Sequence, residues 1–302
     1  MFSLAHISDV HLGPLPAIRR RELISKRITG YVNWRRNRMN SHQPATMARL
    51  LEHLKSQNPD HVAVTGDLVN LGLPAEIENA RDWLLGLGNP RNVSIVCGNH
   101  DAYVPNSLSL ALERWQEWVI GDDGQPVSGE AGFPSVRTRD GVSLISCNSA
   151  RASLPFLATG YFRLAQANRL AEILRREREA GHCRVVLIHH PPAARSTQFH
   201  KRLVGARLFR RIIAQEGAEL VLHGHTHLAS TAWIDGPRAA VPVIGVPSGA
   251  QAPGGQRPAA RYNLFAIERN RDAWSITMRE FGYGESGPDI KALSNRLLVR
   301  SD

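Results

Sequence analysis

Cysteine is scarce in this 302-residue chain: there are three, Cys97, Cys147 and Cys183, and no Cys-x-x-C pair. An odd count without paired spacing argues against a disulfide framework. Each cysteine sits in an apolar run, so all three are expected as reduced core residues in a reducing compartment. Long apolar runs are missing as well. No stretch approaches the ~18 residues of a spanning helix, and Asp9 and His11 interrupt the first apolar run before a secretory leader could be completed. A cytoplasmic protein, at most peripheral at a membrane, is expected. Acidic residues are short, 27 Asp and Glu against 37 Lys and Arg, for a net charge of +10 and a pI near 10.2. That balance implies an anionic partner or substrate without distinguishing nucleic acid, lipid and nucleotide. Gly-x-Ser-x-Gly, the P-loop and His-Glu-x-x-His are absent too, which removes the serine-hydrolase, P-loop and zincin chemistries.

What is present is a repeated design. With 42% apolar and 21% charged residues the composition is that of a globular protein with a buried core. Five short apolar runs each stop at an Asp, His or Asn. Phe2 to Ile7 leads into Ser8-Asp9-Val10-His11, and His61 to Thr65 into Gly66-Asp67. Asn92 to Cys97 leads into Gly98-Asn99-His100-Asp101, Arg184 to Ile188 into His189-His190-Pro191-Pro192, and the run at Val221 into Gly224-His225-Thr226-His227. Strand ends that deliver such side chains converge on the crevice outside the carboxyl edge of an open α/β sheet. Their donors are oxygen and nitrogen only, which suits Mn, Fe or Zn.

Between the runs the chain reads mostly as helix. Ile18 to Arg38 carries Arg19, Arg20, Arg21, Lys26, Arg27, Arg35, Arg36 and Arg38 against one acid, Glu22, with Ile24, Ile28, Tyr31 and Val32 at helical spacing. It is either a helix packing its apolar stripe on the domain, an interfacial helix, or a basic lip over the site. Helices are also predicted over Ser41 to Gln57, Ala75 to Leu87, Leu108 to Val119 and Phe162 to Ala180, with Trp115 and Trp118 as core. Asp140-Gly141 signals a hairpin between Pro134 to Arg139 and Val142 to Cys147. The stretch from Ala193 to Glu216 joins two of the His-bearing runs and is expected to pass over the site as a basic cap, with Arg195, His200 and Arg202 as substrate-binding candidates. After His227 only strands are predicted: Ser230 to Ile234, Val241 to Val246, Tyr262 to Glu268 and Ala273 to Arg279. Nothing after Gly287 is assignable to chemistry.

Asp-x-His, Gly-Asp, Gly-Asn-His-Asp, His-His-Pro-Pro and Gly-His-x-His, in this order, resemble the signature of the calcineurin-like metallophosphoesterase superfamily, over Asp9 to His227. The resemblance implies an α/β fold, a four-layer αββα sandwich of two mixed β-sheets flanked by helices. It is expected to form a single domain over 1–302 with a basic helical insertion at about 15–40 and the cap at about 193–216. It implies two divalent or trivalent metal ions (Mn, Fe or Zn), with Asp9, His11 and His227 holding one, Asn99, His189 and His225 the other, and Asp67 bridging. His190 is then a neighbour, and His100 is aimed at the substrate, to stabilise the transition state or protonate the leaving oxygen. Asp101 is a candidate catalytic or orienting carboxylate, with a turn-capping role as its alternative. The implied activity is hydrolysis of a phosphodiester or pyrophosphate by a hydroxide generated between the metals. The alternatives are a UDP-2,3-diacylglucosamine pyrophosphatase acting at a membrane surface on a lipid-linked substrate, and a cyclic-nucleotide phosphodiesterase. No dedicated nucleic-acid module supports a nuclease, and retention of all seven ligands and His100 argues against a non-catalytic scaffold.

Overall fold

The computed structural model describes residues 1–39, 41–270, 273–284 and 289–299. The chain opens with β1 (Phe2–Ile7), then α1 (Arg27–Asn33), α2 (Pro44–Ser56), β2 (His61–Val64), α3 (Pro74–Leu87) and β3 (Val93–Ile95). Two short helices, α4 (Ser107–Arg114) and α5 (Gln116–Val119), lead to the hairpin β4 (Ser135–Arg139) and β5 (Val142–Ser146). Next come β6 (Gly160–Tyr161), α6 (Leu164–Glu179), β7 (Cys183–Leu187), β8 (Leu203–Val204), α7 (Ala206–Glu216) and β9 (Leu220–His223). The chain closes on β10 (Ser230–Ile234), β11 (Val241–Gly245), β12 (Arg261–Asn270), β13 (Ala273–Tyr283) and β14 (Ile290–Val299).

The strands form two six-stranded mixed sheets, ordered β14-β13-β12-β1-β2-β3 and β10-β11-β9-β7-β5-β4. In the first sheet the parallel pairs β1·β2 and β2·β3 occupy one side and antiparallel pairs the other. In the second, β5·β7, β7·β9 and β9·β11 are parallel at the centre with an antiparallel pair at each edge. The period-two geometry of a strand sorts the core into layers. In β7 and the residue after it, Val185 and Leu187 face the other sheet while Val186 and Ile188 face the outer helices. In β1, Leu4 joins the layer between the sheets and Ala5 the layer beneath α2 and α3. Strands buried on both faces read as near-continuous apolar runs, broken here only by Ser3 and His6 in β1 and Arg184 in β7. The architecture is the αββα sandwich.

Two segments depart from expectation, and a third carries a strand that was not assigned from the sequence. The basic stretch is not one helix: a 3₁₀ turn at Arg20–Leu23, α1 and a π-turn at Trp34–Arg38 follow one another. Its stripe also points outward, with Ile24 82%, Ile28 54% and Val32 42% exposed. Only Tyr31 packs inward, against the cluster of Leu71, Leu73 and Tyr103. The stretch 193–216 is not simply a cap, because its second half is α7. Phe209, Ile212 and Ile213, spaced i, i+3, i+4, are buried under sheet two, each contributing about 1.5–3 kcal/mol relative to exposure. Finally, β14 lies in the tail after Gly287 and pairs antiparallel with β13. The hairpin follows its turn signal, with left-handed φ at both Asp140 and Gly141.

Candidate metal centre

The carboxyl ends of β1, β2, β3, β7 and β9 bring Asp9, His11, Asp67, Asn99, His189, His225 and His227 together, all of them buried. Five of the seven have left-handed backbone conformations: Asp9 (φ 52°), His11 (38°), Asp67 (55°), His225 (69°) and His227 (57°). Such a conformation costs roughly 1–2 kcal/mol in an L residue and persists only where the surroundings over-determine it. Here they do. The Asp9 and His11 amides donate to the Gly66 and Asp67 carbonyls at 2.9 and 3.0 Å, knitting the first two turns together. The His225 amide donates to Asp9 Oδ2 at 2.9 Å, tying the fifth turn to the first.

The side chains approach one another closely across the centre. His227 Nε2 lies 3.1 Å from Asp9 Oδ1 and 3.4 Å from His11 Nε2. His11 Nε2 is 3.8 Å and His189 Nε2 3.5 Å from Asp67 Oδ2. His189 Nε2 is 3.3 Å from Asn99 Oδ1. The outward ring nitrogens are committed elsewhere: His11 Nδ1 donates to the Val69 carbonyl at 3.0 Å and His189 Nδ1 to the Thr65 carbonyl at 2.6 Å. In a neutral imidazole that assignment leaves Nε2 as a bare lone pair facing the centre. His225 is turned the other way, donating Nε2–H to the Lys201 carbonyl at 3.0 Å, so its Nδ1 is the free atom. Asp9 Oδ1 is buried and faces His227 Nε2 across the centre. Converging imidazole nitrogens and carboxylate oxygens fit a cation, and ring N–H groups anchored on carbonyls, as at His11, His189 and His225, are the outer support that metal histidines use. Asp9, His11 and His227 form one compact group able to hold an ion, and Asp9, Asp67 and His189 form another.

The electrostatics say the same. Burial opposes ionisation of Asp67, but His189 and His100 hold it down at about 2. Burial likewise opposes a charge on His189, yet Asp67 and Asp9 raise it to about 9. The two carboxylates thus stabilise positive charge at His189 Nε2, whether a proton there or a cation in its place. His11 is pushed well below its usual value, by burial first and by Arg38 second.

His100 stands at the edge of this cluster. Its amide donates to Asp67 Oδ1 at 2.7 Å, its Nδ1–H to the Asn70 carbonyl at 2.6 Å, and its Nε2 accepts from Arg38 Nη2 at 3.0 Å. Asp101 is fully buried and points away from the cleft. Its carboxylate accepts the amides of Gly98 and Asp67 on one oxygen and of Leu68 and Val69 on the other, stapling the Asp67 and Asn99 turns to each other. Gly98 is required between them, because a Cβ there would run into Asp67 Oδ1 and the His189 ring. His190 bonds Ser149 Oγ through Nδ1 at 2.8 Å and leaves Nε2 without a partner, its ring 4.4 Å from that of His225.

The centre opens into a cleft of about 1070 Å³ whose walls include Lys26, Ile28, Val32, Arg38, His42, His100, Phe156, His200, Lys201 and Arg257. Among the substrate-binding candidates, His200 lines this cleft, whereas Arg195 and Arg202 line a separate recess of about 600 Å³ beside α7. Arg202 there stacks on Phe199, 3.4 Å from the ring centre. Sequence reasoning missed Arg38, His42, Lys201 and Arg257 as site residues. Arg257 Nη1 sits 3.3 Å from His227 Nδ1, and the His42 ring stacks 5.4 Å from that of His11. Nothing in the sequence separated Arg38 from the seven other basic residues of its segment.

Residues 2–229 match the family model for calcineurin-like phosphoesterases. The chain belongs to that family, one of metal-dependent phosphoester hydrolases. A curated relative, described as a probable cyclic nucleotide phosphodiesterase from Synechococcus, is 28% identical over 194 residues, covering 60% of this chain and 63% of its own length. The match thus spans less than two thirds of that relative. Among solved structures, a dimetal phosphatase from Danio rerio superposes with a TM-score of 0.63 at 12% identity, covering 97% of this chain and 98% of the other. A purple acid phosphatase from yellow lupin (Lupinus luteus) gives 0.59 at 12% identity over 96% of this chain and 52% of its own. At such identities the likeness is one of fold.

Proposed function

We propose that this family member hydrolyses a phosphodiester or pyrophosphate bond, with Asp9, His11 and His227 holding one metal ion, Asn99, His189 and His225 a second, and Asp67 shared between them. The observation that supports it most is the set of seven buried Asp, His and Asn side chains that converge beside a cleft lined by Arg38 and Arg257. Two bound ions would supply Lewis-acid polarisation of the phosphoryl oxygens and a nucleophilic water at neutral pH. The chain's own residues do the rest. The Asn70 carbonyl fixes the His100 ring so that Nε2 faces the cleft, and Nε2 in turn holds the Arg38 guanidinium over Asp67. Arg38 then presents a fixed positive charge to the equatorial oxygens where negative charge builds in the transition state. His100 positions that charge. Its Nδ1–H donates to the Asn70 carbonyl, its Nε2 accepts from Arg38, and burial and Arg38 lower its pKa to about 3. The neutral ring therefore has no proton for a leaving oxygen, so of the two roles expected from the sequence the geometry supports the transition-state one. Asp101 acts at one remove, by holding the turns that carry Asp67 and Asn99.

Two observations bear on substrate class. The curated relative's name points to a cyclic nucleotide, which would fill only part of the cleft. Lys26, Lys201 and Arg257 line the cleft besides Arg38, more cationic charge than one phosphodiester anion calls for, and this favours a substrate with a second phosphate such as a nucleoside pyrophosphate. Metal-loaded protein should hydrolyse bis(p-nitrophenyl) phosphate. A parallel assay with cyclic AMP, a glycerophosphodiester and UDP-diacylglucosamine ranks the classes, with the pyrophosphate expected to give the highest kcat/KM. No turnover of any diester or pyrophosphate under saturating Mn or Zn would refute the reading.

A further inference from the structure

The rim of the metal cleft has the composition of a membrane-docking surface. Ile24, Ile28 and Val32 repeat every four residues along the basic segment and are exposed at 82, 54 and 42%. Beside it the loop after β5 exposes Leu154 at 72% and Phe156 at 83%. The two segments are joined by Lys26, whose ammonium donates to Ser153 Oγ at 2.8 Å and to the Leu157 carbonyl at 3.1 Å. Ile28, Val32 and Phe156 all line the cleft, so the exposed apolar groups flank one opening.

The charges around that opening sort into two sets. Lys26, Arg27 and Arg38 turn inward: Arg27 donates to the Leu71 carbonyl at 3.0 Å and to that of Gly72 at 2.6 Å, and Arg38 reaches His100. Arg19, Arg20, Arg21, Arg35 and Arg36 remain exposed, with Glu22 the only acid in the segment. A helix that packed its apolar stripe on the domain would hide Ile24, Ile28 and Val32 and leave the arginines in water. Here the apolar stripe and the exposed arginines face out together. Apolar side chains flanked by arginines are the chemistry of a segment lying in the headgroup layer, where the aliphatic groups enter the acyl boundary and the guanidinium groups meet lipid phosphates. A polyanion such as DNA would satisfy the arginines but leave the five large apolar side chains exposed.

We infer that this rim seats the protein on an anionic lipid bilayer, with the metal cleft opening onto the headgroup layer, so that a lipid-borne phosphoester reaches the site without leaving the membrane. The docking surface stands on exposure and charge alone. The lipid-borne substrate rests on the proposed hydrolase activity, and the two are tested by separate readouts. The unmodified protein should co-sediment at low salt with phosphatidylcholine vesicles containing phosphatidylglycerol and not with pure phosphatidylcholine. Raising the salt should release it, because the Debye length contracts to about 10 Å at 0.1 M. Each basic residue close to an anionic surface contributes roughly a fivefold factor, so Arg19→Ser, Arg20→Ser and Arg21→Ser together should weaken partitioning on the order of 100-fold. Ile24→Ser with Leu154→Ser should weaken it as well, leaving bis(p-nitrophenyl) phosphate turnover and the melting curve unchanged. Absence of binding at low salt, binding indifferent to both variants, or tighter binding to duplex DNA than to the anionic vesicles would each overturn the docking surface. Inactivity on the soluble diester with vesicle binding intact would count against the hydrolase reading alone.

Discussion

Arg38 shows what a single residue adds to a motif-built site. The five motifs account for the donors, but Arg38, which lines the cleft beside them, comes from a segment with no motif at all. Its Nη2 lies 3.0 Å from His100 Nε2, and the imidazole is locked from behind by the Asn70 carbonyl. Removing one fixed donor aimed at a transition-state oxygen costs roughly 10²–10³ in kcat. Arg38→Ala and His100→Ala should each lower kcat by about 10²-fold or more with metal content intact, and the double variant should lose little more, because the two act as one unit. Steady-state kinetics with metal analysis on the same preparations checks this. Loss of metal in step with activity in His100→Ala would make His100 a ligand, for its ring nitrogen also falls within reach of a group with His11 and Asp67.

Turns, not strands, are the elements that carry the site, and Asp101 is what binds two of them. One carboxylate takes four backbone amides from the Asp67 and Asn99 turns. Hydrogen bonds to a charged acceptor are worth about 1.5–3 kcal/mol each, and an unsatisfied buried donor costs a similar amount. Asp101→Asn puts an amide nitrogen where one oxygen accepted, so it should destabilise the fold by about 2–4 kcal/mol and weaken metal binding by about 10–100-fold. Thermal denaturation and metal titration read these out, and a variant as stable and as tightly metallated as the parent would show the staple to be idle. The strands that feed these turns were legible because burial on both faces leaves β1, β2, β7 and β9 mostly apolar, with Ser3, His6, His61, Arg184 and His223 as their polar members. Helix α7 was hidden by Arg207, Arg210 and Arg211, which drew its reading toward a basic loop although Phe209, Ile212 and Ile213 had the helical spacing. Strand β14 was illegible for the opposite reason: it is an edge strand, mostly exposed, and Lys291, Ser294, Asn295 and Arg296 give it no apolar run. The outward turn of Ile24, Ile28 and Val32 could not be read from periodicity, which reports that a stripe exists and not which way it faces.

At the scale of the whole molecule, two twisted sheets meet across an apolar layer that includes Leu4, Val185, Leu222 and Phe265, and both deliver chain ends to one rim. β1, β2 and β3 of the first sheet carry Asp9, His11, Asp67 and Asn99, while β7 and β9 of the second carry His189, His225 and His227. Each proposed ion takes ligands from both sheets, so metal binding should also brace the sandwich. Metal stoichiometry is therefore the most direct test of the account. Protein saturated with Mn or Zn and freed of excess should hold two ions per chain by elemental analysis. Asp67→Ala, which removes the only side chain assigned to both, should fall well below two and lose diesterase activity. A wild-type ratio that stays at one under saturating metal, or an Asp67→Ala variant that still binds two, would contradict it.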